Sequence, residues 1–232
     1  MRAGGPRFDS THLRLSRASA PRYNGRVLNT LRLFVIRHGE TAWTNARYSG
    51  WRDVPLAPEG YLQAEAVART LAGAKAVAVY ASPLERARAT AEVIAKPHRL
   101  DVRVEPAFRE MGFGAWEGLT RDEVVARFPA EHAAWREAPH TVTLPGAERI
   151  GTVAERTAAG LAEIRRAHPQ GTVVLVSHGV VIRLMVLAAL GLGPERLWSV
   201  DASPCGITEL EFAGDWVTVH RMNTLAHLGA TA

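Results

Sequence analysis

Two histidines in the 232-residue chain each stand directly after a short apolar run and directly before a glycine. Leu31-Arg32-Leu33-Phe34-Val35-Ile36 leads into Arg37-His38-Gly39-Glu40-Thr41, and Thr172-Val173-Val174-Leu175-Val176 leads into Ser177-His178-Gly179. Apolar runs of this length suit buried parallel strands. In an open parallel sheet, ligands bind outside the carboxyl ends of the strands. The two imidazoles are therefore expected where chemistry is done, each beside a glycine that lets backbone or ligand approach closely. One such histidine is ordinarily a turn residue, whereas a matched pair makes a constellation. Arg37 and Arg86 add the complementary charge, Arg86 early in a helix predicted to follow a strand at 76–81. Guanidinium groups beside helix N-termini make a site for a phosphoryl group. Their charge also disfavours imidazolium, so His38 is expected to be neutral and nucleophilic. A proton donor would complete the set. Glu110 and Glu117 both lie in the stretch 109–118, where Gly112, Gly114 and Gly118 allow tight folding, and spacing does not choose between them. A carboxyl group beside a bound phosphate dianion is held protonated by like charge, which suits it to protonate a leaving group.

The elements that must hold these residues alternate. Strands are predicted at 31–36, 76–81, 101–104 and 172–176, and two late strands at 207–212 and 216–221 flank a turn at 213–215. Helical spacing of Leu62, Ala66, Val67 and Leu71 predicts a helix over 58–71 with Gly73 as its stop. Ser82-Pro83-Leu84-Glu85 reads as a cap, a proline at the first helical position and a capping-box glutamate, for a helix running to about Lys96. Thr120-Arg121-Asp122-Glu123 reads as a second capping box, and a further short helix is expected through Trp135 before Pro139. Longer helices are expected within 147–168 and over 180–190. This alternation implies a three-layer α/β/α sandwich with a mainly parallel central sheet and right-handed crossovers. The interval 119–147 interrupts the rhythm and reads as a small helical lid inserted in a single domain spanning 31–232. Phe128 and Trp135 within it, with Trp116 just before it, either favour a substrate with an aromatic or alkyl portion or pack the lid onto the body.

Composition narrows the partners. The net charge of +5 belongs entirely to residues 1–30, which carry six arginines and Asp9, while the remaining chain balances. That segment reads as a basic, disordered arm. No aromatic interleaving or helical stripe organises its arginines, so nucleic acid is not expected as a partner. The single cysteine, Cys205, excludes an internal disulfide framework and a cysteine-based metal cluster, and fits a reducing interior. Charge-free stretches at 167–182 and 184–194 fall short of the roughly 18 to 20 apolar residues of a bilayer span, and the arm lacks the apolar core of a secretory signal. A cytoplasmic protein that does not engage membrane is expected, with a homo-oligomer left open. No His-Glu-x-x-His spacing, acid cluster, P-loop or dinucleotide fingerprint occurs, so neither metal nor cofactor is expected.

Four segments together resemble a known family: Arg37-His38-Gly39-Glu40-Thr41, Ser82-Pro83-Leu84-Glu85-Arg86-Ala87, the stretch from Glu110-Met111-Gly112 to Trp116-Glu117-Gly118, and Ser177-His178-Gly179. In this order, over about residues 31–225, they look like the signatures of the histidine phosphatase superfamily, the phosphoglycerate-mutase-like group. The resemblance implies that His38 is phosphorylated, that Arg37, Arg86 and His178, with Gly179 beside it, hold the phosphoryl group, and that Glu110 rather than Glu117 is the acid. It implies a metal-independent phosphomonoesterase acting on a small phosphorylated metabolite. The short interval between Glu110 and His178, with only Arg121, Arg127 and Arg136 in the lid, and Val180 after the second His-Gly look more like the phosphatase branch than a cofactor-dependent phosphoglycerate mutase. The mutase is the alternative enzyme; a binding protein using the arm on nucleic acid is the non-enzymatic one. The family usually has Trp-Asn after the first motif, whereas this chain reads Trp43-Thr44-Asn45, so either Thr44 or Asn45 takes the phosphate-binding role of that asparagine.

Overall fold

The protein, described here from a computed structural model, is defined at residues 22, 23, 26, 27 and 29–229. Most of the basic arm, and the expectation of disorder there, lies outside the described residues. Within it β1 (Arg22–Tyr23) and β2 (Arg26–Val27) pair as a short antiparallel ladder. The remaining strands are β3 (Thr30–Arg37), β4 (Ala78–Ala81), β5 (Val102–Val104), β6 (Gly171–Ser177), β7 (Ile207–Ala213) and β8 (Trp216–Thr224). They form one sheet in the order β5-β4-β6-β3-β7-β8. β5, β4, β6 and β3 run parallel, and β7 and β8 complete the far edge antiparallel.

The continuous apolar run of β3 has its reason in two separate cores. Leu33 and Val35, with Val173 and Leu175 of β6, face α5 (Ile150–Ala167) and α6 (Gly179–Ala189). Phe34 and Ile36, with Val174 and Val176, face Ala64 and Val67 of α1 (Pro58–Leu71) and Ala87, Ala91 and Ile94 of α2 (Glu85–Ala95). A central strand covered on both faces must be apolar at every position. The result is the expected three-layer sandwich with a mainly parallel sheet.

Register delivers the functional residues. Arg37 pairs with Ser177 and Ala81 with Val176. The residues leaving the three strand ends are tied by backbone hydrogen bonds, His38 N–H to Ser177 O (3.0 Å) and Ser82 N–H to Val176 O (3.0 Å).

Local signals held at α3 (Arg121–Arg127), where the Thr120–Glu123 capping box forms in both directions, and α4 (Pro129–Glu137) follows it. Two did not. The stop of α1 is not Gly73: the chain passes through a 3₁₀ turn at Ala72–Ala74 and reverses at Lys75, which takes the left-handed conformation (φ 52°). Ser82 does not cap α2. That helix begins at Glu85 with Leu84 as N-cap and no side-chain cap, so Pro83 precedes it. Trp116 and Trp135 are buried in the core, edge-on to each other and beside Phe113, with Trp198 edge-on to Trp135. These aromatics pack the 119–147 segment onto the body, the second of the two roles expected for them.

Candidate active site

His38, leaving β3, is 6% exposed. Its Nδ1 lies 2.7 Å from the Gly39 carbonyl oxygen, which only accepts, so Nδ1 carries the proton. Nε2 accepts from Arg86 Nε at 3.2 Å. The ring is thus locked in one tautomer with its lone pair on Nε2. Burial holds the imidazole well below its ordinary pKa, and the Arg86 and Arg37 charges push the same way, while the Gly39 carbonyl opposes them in part. His38 is neutral, as expected. The turn that carries it is compact because a side chain on Gly39 would overlap the Gly60 backbone of α1. Thr90 of α2 braces it, its hydroxyl oxygen accepting from Gly39 N–H (3.0 Å) and donating to Arg86 O (2.7 Å).

Arg86, 1% exposed, is aimed by its own hydrogen bonds: Nη1 donates to Arg52 O (2.8 Å) and Nη2 to Gly50 O (2.9 Å). It thereby fixes the 41–53 loop and His38 together. Arg37 donates from Nη1 to Ala202 O (2.7 Å), while its buried Nε has no partner among the described residues. Burial lowers the pKa of both guanidinium groups and the nearby Glu110 carboxylate opposes it, yet arginine stays charged at any ordinary pH.

His178, leaving β6, is fully buried, with its ring centroid 5.1 Å from that of His38. Its Nε2 lies 2.7 Å from Ser82 Oγ, and its Nδ1 is buried without a partner among the described residues. Burial, then Arg86, His38 and Arg37, hold it well below the ordinary imidazole pKa. The Ser82 hydroxyl also accepts from Leu84 N–H (3.3 Å). The serine expected to cap a helix instead orients the second histidine.

The two candidate acids separate cleanly. Glu117 is structural: Oε1 accepts from Trp51 N–H (2.9 Å) and Phe113 N–H (3.1 Å), and Oε2 faces Arg52 at 3.8 Å. The side chain of Glu110, 9% exposed, has one hydrogen bond among the described residues, Oε1 accepting from Met111 N–H (2.9 Å). Its carboxylate lines a cavity of about 140 Å³ together with Arg37, His38 and Arg86. Thr44, Asn45, Arg47, Tyr48 and Phe113 line it too. His178 and Gly179 stand behind that wall, and a side chain on Gly179 would meet Arg183 Nη1 at 3.2 Å and Glu110 Oε2 at 3.9 Å. The lining comes from the 41–50 loop and not from the 119–147 segment. Thr44 Oγ1 accepts from Thr41 N–H (2.9 Å), whereas the Asn45 side chain has no hydrogen-bond partner among the described residues and its backbone is left-handed (φ 59°).

The model of the histidine phosphatase superfamily (branch 1) matches residues 33–225. The chain belongs to the histidine phosphatase superfamily. It is 32% identical over 200 residues to phosphoserine phosphatase 1 of Hydrogenobacter thermophilus, an alignment covering 86% of this chain and 95% of that one. Among solved structures, Bacillus stearothermophilus YhfR superposes with a TM-score of 0.82 at 30% identity, over 85% of this chain and 99% of that one. A mycobacterial glucosyl-3-phosphoglycerate phosphatase superposes with a TM-score of 0.77 at 29% identity, over 84% and 100%. A phosphatase of that superfamily is the enzyme these likenesses support.

Several residues that contact or line this site were not among the site residues expected from the sequence. Ser82 shares with His38 and His178 the position just past a strand end, the one signal that marked it. Trp43, Arg47, Tyr48 and Ser49 line the cavity from a loop without periodicity. Among the described residues no three His, Cys, Asp or Glu side chains gather as a metal site requires, and no helix is long and apolar enough to cross a membrane.

Proposed function

We propose that the protein hydrolyses small phosphomonoesters through a phosphohistidine on His38, without a metal. The observation that carries this reading is the fixed tautomer of His38: a neutral imidazole presenting a lone pair on Nε2, in one cavity with two guanidinium groups and a carboxyl group. Nε2 attacks phosphorus in line while the Glu110 carboxyl group gives its proton to the departing oxygen. The positive charge that develops on the ring is met by the Gly39 carbonyl through Nδ1–H. Glu110, now a carboxylate, then takes a proton from water as that water attacks phosphorus, and the imidazole leaves neutral. Charge on the transferring oxygens is met by Arg37, Arg86 and His178. The buried donor Nε of Arg37 and the buried Nδ1 of His178, both without a partner among the described residues, support this role. Most of the catalysis is therefore positioning and electrostatics.

Asn45 is the better candidate of the two loop residues for a phosphate oxygen, because the Thr44 hydroxyl oxygen is already engaged by Thr41 N–H. A cavity of about 140 Å³ suits a phosphoryl group with a small organic remainder, in keeping with relatives named for small phosphorylated metabolites. The test is turnover of a generic aryl phosphate in the presence of chelator by wild-type protein and His38→Ala. Wild-type activity that disappears in the variant is expected; undiminished activity in the variant overturns the mechanism.

A further inference from the structure

The general acid has a mount of its own. Arg156, on α5, sends its guanidinium into the segment that carries Glu110. Nη1 donates to Ala107 O (2.8 Å) and Arg109 O (2.6 Å), and Nη2 donates to Glu110 O (3.1 Å). Three carbonyls, two just before the acid and its own, are thus held by one side chain. Glu148 holds that side chain in turn, Oε1 accepting from Nε (3.0 Å) and Oε2 from Nη2 (2.9 Å), a two-point pairing of the fork type. The same Oε2 accepts from Gly112 N–H (2.9 Å), so the pair grips both sides of Glu110. Both partners are largely buried, at 20% and 15% side-chain exposure. From the opposite side, Trp51 Nε1 donates to Glu110 O (2.9 Å), and the Arg109 guanidinium stacks 3.6 Å from the Trp51 ring centroid. The Glu110 carboxylate itself has a single hydrogen bond among the described residues, from Met111 N–H. Its place is set by its backbone, which Arg156, Glu148 and Trp51 hold together.

We infer that the Arg156–Glu148 pair is the positioning device of the proton donor, fixing the Glu110 carboxyl group relative to His38 without touching substrate. This rests on Glu110 being that donor. Neither residue lines the cavity, and the five bonds that Arg156 makes to three carbonyls and Glu148 use the five N–H donors of a guanidinium, a planar set that lysine lacks.

A donor that is present but misplaced has a signature that ordinary loss of structure does not share. An alkyl phosphate needs its leaving alkoxide protonated, whereas a dinitrophenolate leaves without a proton. The experiment measures kcat/KM, which reports phosphorylation of His38, for both substrates with full-length Arg156→Gln, Arg156→Lys, Glu148→Gln and Glu110→Gln. Arg156→Gln is expected to lose about 10²-fold on the alkyl phosphate while staying within about twofold on the dinitrophenyl phosphate. Its kcat falls on both, because water activation uses the same carboxylate. Glu148→Gln and Arg156→Lys should show the same pattern with a smaller loss, and they carry the test if Arg156→Gln does not fold. Equal losses on the two substrates, or wild-type values on both, overturn the inference. Glu110→Gln losing the two activities equally would instead remove the reading of Glu110 as donor, and the positioning role with it.

Discussion

Acidification should destabilise this protein through His38 and His178, and the size of the effect can be worked from their burial. Both imidazoles are buried and held well below the ordinary pKa of 6.5. The unfolded chain takes up a proton on each near 6.5; the folded chain does not. Below that pH the unfolded state therefore binds more protons, so stability falls as pH falls and is unaffected above about 7.5. One unit below 6.5, each histidine that stays neutral in the fold costs up to about 1.4 kcal/mol, and the pair up to about 2.8 kcal/mol. This is a large share of the 5–15 kcal/mol typical of a domain. The assay is urea unfolding at pH 7.5, 6.5 and 5.5 for wild type, His38→Ala and His178→Ala. The cavity left by each substitution lowers stability at every pH alike, so only the pH dependence is compared. His98, His132, His168 and His227, whose pKa burial also lowers, give a background common to all three chains. Each variant should lose less stability than wild type between pH 7.5 and 5.5, by up to about 1.4 kcal/mol. Orthophosphate should flatten the wild-type curve, since a bound dianion favours imidazolium. Parallel curves for all three proteins would refute the reasoning.

Three further outcomes follow from the same geometry. Ser82→Ala removes the hydroxyl partner of His178 Nε2 and should lower kcat/KM roughly tenfold, about the worth of one buried hydrogen bond; unchanged kinetics would show that the serine does not orient the ring. Gly114→Ala places a side chain at φ 51° where it would overlap Pro145 O, and should cost about 2 kcal/mol or more in urea unfolding; a wild-type midpoint would contradict the close approach. A chain beginning at Val27 should keep full phosphatase activity on an aryl phosphate, and a large loss would give the basic arm a role in the site.

Strand-end chemistry was legible because a strand buried on both faces writes an uninterrupted apolar run, and whatever follows it stands out. Spacing alone did not separate Glu110 from Glu117, since both are glutamates in one glycine-rich stretch, and only the family resemblance pointed to Glu110. What separates them is that Trp51 and Phe113 backbone donors occupy Glu117. Ser82 was read as a cap because Ser-Pro-x-Glu is a genuine helix-start signal; here the strand-end position prevailed over it. Arg156 and Glu148 were invisible for a different reason. On an amphipathic helix and the turn before it, such charges look like a solvated face, and only tertiary packing shows the arginine turned inward to three carbonyls. The antiparallel edge formed by β7 and β8 was seen as strands, while their direction came from the fold.

The sheet order has a consequence for biosynthesis. β3 and β4 never pair with each other; each pairs with β6, which sits between them. A ribosome makes β3 and β4 long before residues 171–177, so a growing chain holds two apolar strands with a gap where the third belongs. The gap closes with the strand that ends at Ser177, and the next residue to follow is His178. The second imidazole thus arrives with the last parallel strand of the sheet. A stalled or truncated chain lacking β6 cannot assemble the pocket, and it exposes strand edges of the kind chaperones bind.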